Sequence, residues 1–488
     1  MNEWIVIAQK KEGACDFAVN NVLETIKDIC GKAFPLVWLE QIENKDLSSQ
    51  NFIYIGGLDC PLAEEILKKG TLYTPIKKES YSVYVGESLF NNDKQMIAII
   101  GYDEMGTVYG CMDFCNRYLG KELLKVSDHN VMFDKNFFLN LFDKPLNTWC
   151  VQESPAIPSR AIWTWGHVIY DYRRFLENMT RLRLNEIVIW NDFVPKNARE
   201  VVEYAHLLGI KVIWGFAWGW GLNCADEMQK FTSEGLSKLK ENVLSVYESQ
   251  YLQTFADGIY FQSFTELHTD KIGEKLIAEV VTDFVNEVAG ELLNRHPALN
   301  IQFGLHATSV KTHLDYLKKL DKRVRIVWED CGAFPYAYRG EFVENFDQTI
   351  ELTRELMKLR GDDENFGAVL KGMVNLDWHN FKHATDSITI GESSSEFIKE
   401  RQIEKNRLWK IVQANWIKNA EYARVIIEDV AKSGNDSVLQ GLVEDGLFEN
   451  EIPYSTALFA DLLWDPRGNI DEIKETVAKY LCVKFANI

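Results

Sequence analysis

The stretch Asp257 to Glu266 (D-G-I-Y-F-Q-S-F-T-E) places a short apolar run ahead of a lone carboxylate. A buried parallel strand that delivers one acid to the rim of a barrel has this form. The pattern recurs along the chain. One apolar run closes on Trp163-Thr164-Trp165-Gly166-His167, the next on Trp190-Asn191-Asp192, and a third on Trp214-Gly-Phe-Ala-Trp218-Gly-Trp220. Further runs end on Glu266 and His268, on His306, on Trp328-Glu329-Asp330 and on Asp377-Trp378-His379. Glycine between the indoles lets the backbone approach a ligand closely, and an indole face packs well on the C–H face of a sugar ring.

Cleavage of a glycosidic bond needs two carboxyl groups flanking it, one protonated and one ionised. Glu266 is the candidate acid, since aromatic neighbours would raise its pKa by desolvation. Glu329 and Asp330, expected on a strand roughly across the barrel, are the candidates for base or nucleophile. Trp163, Trp165, His167, Trp218, Trp220, His306, Trp328 and Trp378 are candidate sugar contacts, with Asp192 and Asp377 candidate partners of sugar hydroxyls. Retention or inversion depends on the carboxyl separation and stays open. Other chemistries lack their signatures. There is no phosphate-binding or dinucleotide glycine loop, no H-E-x-x-H and no G-x-S-x-G elbow. No cofactor and no metal is expected.

The elements that must position these groups alternate in type. Expected strands at Arg160–Gly166, Glu186–Asp192, Lys211–Trp220, Gly258–Glu266, Ile301–His306, Val324–Asp330 and Ala368–Trp378 are separated by helical segments such as Tyr172–Arg183 and Ala198–Leu208. Seven such units predict a (β/α)8 barrel. The eighth strand is assigned to Leu458–Trp464, with a helical stretch Arg407–Ala431 before it and a closing helix Asp471–Tyr480. Ahead of the barrel, strands at Trp4–Ala8, Phe52–Ile55, Tyr81–Val85 and Met96–Gly101 and a helix at Phe17–Ile29 form a separate α/β unit. Its last helix is expected to end on Gly120 as a left-handed cap. The fold expected is α/β, an N-terminal accessory domain (1–145), a barrel (146–400) and a helical C-terminal region (401–488) that holds the last strand.

The chain of 488 residues is ample for two domains. A formal net charge of −19 argues against nucleic acid or an anionic membrane as partner. Nine scattered cysteines, an odd number without C-x-x-C pairs, fit a reducing compartment. The first residues carry an apolar run too short for a signal peptide, and no stretch has the length of a membrane span. A cytoplasmic location is the expectation, and a homo-oligomer is compatible with the sequence.

Two stretches resemble a known group. The run I-I-G-Y-D-E-M-G-T-V-Y-G-C-M-D-F-C-N-R-Y-L-G is similar to the accessory domain ahead of the barrel in β-N-acetylhexosaminidases and α-glucuronidases. The run P-S-R-A-I-W-T-W-G, followed by R-R-F-L-E-N-M-T-R-L-R-L-N-E-I-V-I-W-N-D, resembles the start of their catalytic barrels. The resemblance implies a glycoside hydrolase working from the end of an oligosaccharide, with Arg160 binding sugar hydroxyls and Asn185 at the matching helix end. Substrate-assisted hexosaminidases carry an Asp-Glu pair at the end of strand four, whereas this chain has Thr265–Glu266. The α-glucuronidases take carboxylates from later strands, a role open to Glu329 or Asp330, and need a cation for the uronate, for which Arg160 or Arg339 would serve. The alternative is a barrel that binds carbohydrate without turning it over.

Overall fold

The computed structural model describes residues 4–9, 12–41, 47–70, 72–121, 140–219, 231–267, 269–306, 309–329, 346–361, 365–374, 382–433 and 436–482. Of the expected site residues, Trp220, His268, Asp330, Arg339, Asp377, Trp378 and His379 lie outside the described residues, as does the side chain of Glu266.

The N-terminal part is one six-stranded sheet. Its strands are β1 (Trp4–Ala8), β2 (Leu36–Trp38), β3 (Asn51–Gly57), β4 (Tyr81–Ser88), β5 (Asn91–Gly101) and β6 (Trp149–Glu153), in the order β2-β1-β3-β5-β4-β6. The first four in that order are parallel, and β4 runs antiparallel to β5 and β6. The sheet thus takes in a strand beyond residue 145. Helices Gly13–Cys30 and Glu104–Asp113 cover one face, and Pro61–Lys68 the other.

Eight parallel strands then close into a barrel: β7 (Ser159–Trp165), β8 (Glu186–Trp190), β9 (Lys211–Ala217), β10 (Gly258–Gln262), then, after a small hairpin of β11 (Lys271–Ile272) and β12 (Lys275–Leu276), β13 (Asn300–Leu305), β14 (Val324–Trp328), β15 (Phe366–Val374) and β16 (Val438–Val443). The ring follows chain order and is sealed by β16 pairing with β7. Side chains alternate across each strand. One set packs outward against the helices, as Ile259, Phe261, Ile301, Phe303, Ile326 and Trp328 do. The other set points inward, where Trp163, Val188, Trp190, Tyr260, Val327 and Val369 fill the barrel. The seven strands expected from the sequence are present, within a few residues at their ends.

The eighth is a correction. Leu458–Trp464 belongs to a helix, Tyr454–Trp464, and the closing strand is β16. Nine of that helix's eleven residues are buried, so no polar face marks a 3.6-residue period and the run reads equally as a buried strand. The helical stretch before β16 is two helices, Ser395–Lys418 and Ala420–Ser433, broken at Asn419. Gly120 is also corrected. It has φ −60° and is right-handed. The glycine is needed for a different reason, because a Cβ there would lie 2.4 Å from the Lys479 carbonyl oxygen.

The sheet and the barrel meet through buried charge. Arg160 is fully buried at the second residue of β7, on the outward side. Its guanidinium donates to the carbonyls of Arg183 (2.8 Å), Ile157 (3.0 Å) and Pro158 (3.1 Å), and pairs with Glu79 of the N-terminal part at 2.6 Å. Asn185 also donates to Glu79. Burial works against the Glu79 charge, but Arg160 outweighs it and holds the carboxyl below its ordinary range. Beside it Arg183 donates to Tyr81 (2.8 Å) and Asp461 (2.9 Å), and Trp464 packs on Tyr81 and Tyr109. Arg160 therefore joins the two parts at the N-terminal end of the barrel. About five residues of strand, roughly 16 Å, separate it from the mouth, so it is not a sugar contact.

Candidate active site

The C-terminal ends of the strands set the inward residues of the mouth. Strand parity decides which they are. On β10, Tyr260 and Gln262 point in; the first residues after β13 and β14 on the same side are His306 and Glu329; on β15 the position is Lys371, and after β16 it is Glu444.

Glu329 gathers the others around it. Its Oε1 accepts from Gln262 Nε2 at 2.6 Å and from the Tyr260 hydroxyl. Its Oε2 lies 2.8 Å from His306 Nε2 and 3.7 Å from Lys371 Nζ. The carboxylate is only 4% exposed. Burial alone would push its pKa up, but the charge and hydrogen bond of His306, with Lys371 and Gln262, more than reverse this and hold it far below the usual carboxylate range. A carboxylate so firmly ionised is a poor proton donor, and one whose two oxygens already take four partners is a poor nucleophile. It ties His306, Gln262 and Lys371 together at one point of the mouth.

Aromatic side chains wall the same space. Trp163 stacks on Trp190 at 6.0 Å between ring centres, and Trp165 meets both edge-on or tilted at 5.6 and 5.9 Å. Tyr260 stands edge-on to Trp163 and Trp190. Below them, a hydrogen-bonded chain from Gln440 to Gln302 to Glu186 crosses the interior at 2.7 and 2.9 Å. The interior of the barrel is a filled core.

The expected residues separate into two groups. Trp163, Trp165, His167, His306 and Glu329 stand on the inward side, and Trp165 and His167 lie 5.8 Å apart at the rim. Burial lowers the His167 pKa, partly offset by Asp192. Asp192 also reaches the rim, but both its oxygens are committed, one 2.7 Å from His383 Nδ1 and one accepting the Ala384 N–H at 2.7 Å; it anchors the segment after β15. Trp218 and Trp328 are corrections. Both face the helix layer, Trp218 stacked on Phe261 at 3.7 Å and Trp328 1% exposed in the outer core. Neighbours on a strand point to opposite sides, so Trp328 and Glu329 cannot both line the mouth. Glu266 follows β10 in a single helical turn, Phe264–Glu266. The Thr265 beside it is fully buried and accepts the His306 N–H at 3.3 Å, which makes this position a brace between strand ends.

The strand order also revises who faces whom. Strands β10 and β14 are two apart in the ring of eight, a quarter turn, so Glu329 is not across from Glu266. The strand four places away from β10 is β16, which ends in Glu444 and Asp445. Glu444 is 5% exposed on the inward side, while Asp445 turns outward to Arg401 at 2.6 Å. Glu444, Lys371, Gln262 and Tyr260 are the mouth residues that sequence reasoning missed. The signal for Glu444 was present, because Val438 to Asp445 is again an apolar run ending on acids. Among the described residues no group of His, Cys, Asp and Glu could hold a metal ion, and no helix is long and apolar enough to cross a membrane.

Comparison with known proteins bears on the fold. No family model matches the chain, and no curated protein matches it in sequence. Among solved structures it is similar to the GH20 β-N-acetylhexosaminidase from Streptomyces coelicolor A3(2), with TM-score 0.52 and 8% identity over 97% of this chain and 90% of that one. It is also similar to a GH138 enzyme targeting pectin rhamnogalacturonan II, with TM-score 0.50 and 14% identity over 96% of this chain. The chain spans about half, 52%, of the length of that second protein. At these identities the likeness establishes the architecture of an accessory sheet followed by a (β/α)8 barrel, and that alone.

Proposed function

We propose that the chain is a glycoside hydrolase whose reaction takes place at the C-terminal mouth of the barrel, with Glu266 as the general acid. The observation that carries this reading is the pairing of an indole wall with inward polar groups on the strand ends. Tyr260 stands edge-on to Trp163 and Trp190 and donates to Glu329, which His306 and Lys371 face, the combination that a sugar ring and its hydroxyls call for. Two carboxyl groups must approach the bond from different sides. Glu266 after β10 and Glu444 after β16 come from opposite strands of the ring, so Glu444 is the proposed base or nucleophile. Asp330, outside the described residues, is retained as its competitor. Glu329 is a positioning residue in this scheme.

The two solved enzymes of like fold act on carbohydrate by their descriptions, which supports the class and leaves the sugar to be found. A substrate-assisted mechanism has little support, because buried Thr265 stands where the assisting Asp would be. Among the described residues at the mouth no cation is free for an acidic sugar, and Arg339 lies outside the described residues. Arg160 is committed to Glu79, and Lys371 and His306 face Glu329. A neutral sugar removed from a chain end is the favoured substrate.

The test is hydrolysis of a panel of nitrophenyl glycosides covering both anomers, N-acetylhexosaminides and glucuronides. One sugar should be released, and Glu266→Gln and Glu444→Gln should each lower kcat by roughly 10²–10⁴-fold. Full turnover in Glu266→Gln would remove the acid from this scheme, and full turnover in Glu444→Gln would return the partner role to Asp330.

A further inference from the structure

The N-terminal sheet has a crevice of its own. The chain leaves β1 for helix Gly13–Cys30 on one face, and leaves the adjacent parallel strand β3 for helix Pro61–Lys68 on the other. From β1 it proceeds to β2 at one edge, and from β3 it proceeds toward β5 and β4 on the other side. Two neighbouring strands whose exits diverge in this way leave a gap outside their carboxyl ends, the usual ligand position in open parallel sheets. A cavity of about 340 Å³ lies there, within the roughly 300–1,000 Å³ typical of small-molecule sites.

Its floor is built. Gln9 Oε1 accepts the Gly57 N–H at 2.6 Å, and Gln9 Nε2 donates to Asp59 Oδ1 at 2.8 Å, so both side chains are held before any ligand arrives. A Cβ on Gly56 would come within 2.8 Å of Gln9 Oε1, and one on Gly57 within 2.9 Å of Asp59 Oδ1. Glycine at both positions keeps the floor open. Asp103 also borders the cavity, but its oxygens are used by the N–H groups of Gly106 and Glu79.

The lining indicates the ligand class. A helix N-terminus at such a crevice ordinarily attracts an anion. Here Glu104 fills that place, its Oε1 2.8 Å from where a Cβ on Gly13 would stand. Asp59 and Glu104 add negative charge, and no Lys or Arg lines the cavity among the described residues. The described lining would repel a phosphate or carboxylate ligand. Tyr102, 46% exposed, presents an aromatic ring at the rim. We infer that this crevice is a second carbohydrate site, taking a neutral or amino sugar with Tyr102 against the ring and Gln9, Asp59 and Glu104 on its hydroxyl or ammonium groups. The site is separate from the barrel mouth and does not depend on the barrel being a hydrolase.

Saturation-transfer NMR on the full chain tests this, with galactose, N-acetylglucosamine and glucosamine as probes beside galacturonate and glucose 6-phosphate. The neutral and amino sugars should receive saturation, and Tyr102→Ala and Asp59→Asn should each weaken binding about tenfold, with or without Glu266→Gln in the barrel. Both side chains are exposed, so the variants keep the fold, which circular dichroism verifies. Binding unchanged in both variants would assign the sugar to the barrel and overturn the inference. Equal, Tyr102-dependent binding of galacturonate or glucose 6-phosphate would overturn the ligand class. Absence of saturation for every probe would overturn the site.

Discussion

Removing Glu79 examines the finding that Arg160 joins the two parts of the molecule. In Glu79→Ala the Arg160 guanidinium keeps its three carbonyl partners but loses its counter-charge. Arg160 is fully buried and the Glu79 side chain 11% exposed, so solvent cannot replace the lost partner. Breaking a buried pair from one side costs about 3–5 kcal/mol. Glu79→Gln retains an acceptor for Arg160 and loses only the charge, so it should cost less, about 1.5–3 kcal/mol, the worth of a charged hydrogen bond. Urea unfolding followed by tryptophan fluorescence measures both, since Trp464 sits in this interface. KM should stay unchanged, because the pair is at the barrel end remote from the mouth. A loss below about 1 kcal/mol for Glu79→Ala, the level of an exposed pair, would refute the argument. So would an Arg160→Lys variant with intact stability and raised KM, which would put Arg160 back among the sugar contacts.

Trp218→Ala should cost about 3–5 kcal/mol of stability with KM unaltered, since Trp218 is stacked within the outer core; a KM effect at intact stability would return it to the mouth. Glu449 accepts the N–H groups of Tyr170 and Asp171, and burial pushes its pKa from 4.5 to about 7. The folded state thus holds this proton where the unfolded chain has released it, so wild-type stability should fall as pH rises through that interval, by up to about 3 kcal/mol. Glu449→Gln should flatten the decline in denaturation curves taken between those pH values, and an unchanged slope would contradict the assignment. Gly120→Ala, which would stabilise an ordinary helix interior by about 1 kcal/mol, should instead lower the melting temperature because of the Lys479 carbonyl; a rise would contradict the packing described.

Much of the architecture was legible because its signal is local. Five-residue strands such as Glu186–Trp190 and Gly258–Gln262, each built on a short apolar run, alternate with amphipathic helices such as Tyr172–Arg181, and that alternation implies a parallel sheet closed by crossovers. The acids and indoles at the ends of these runs were visible for the same reason. Strand parity was legible too, once a strand was correctly bounded, and by itself it separates Trp328 from Glu329.

Three matters were decided only in three dimensions. The closing strand, assigned from the sequence to Leu458–Trp464, is Val438–Val443, because a segment buried on every side shows no period and only pairing with β7 identifies the strand. The role of Arg160 could not be read either, since its partners Glu79 and Trp464 are far away in the chain. Finally, the lowered pKa of Glu329 follows from His306, Lys371 and Gln262 arriving from three other strands. The sequence by itself determined seven of the eight barrel strands and the residue types at their ends. Burial and long-range charge, which exist only after the ring has closed, decided which of those groups face the mouth and which hold the molecule together.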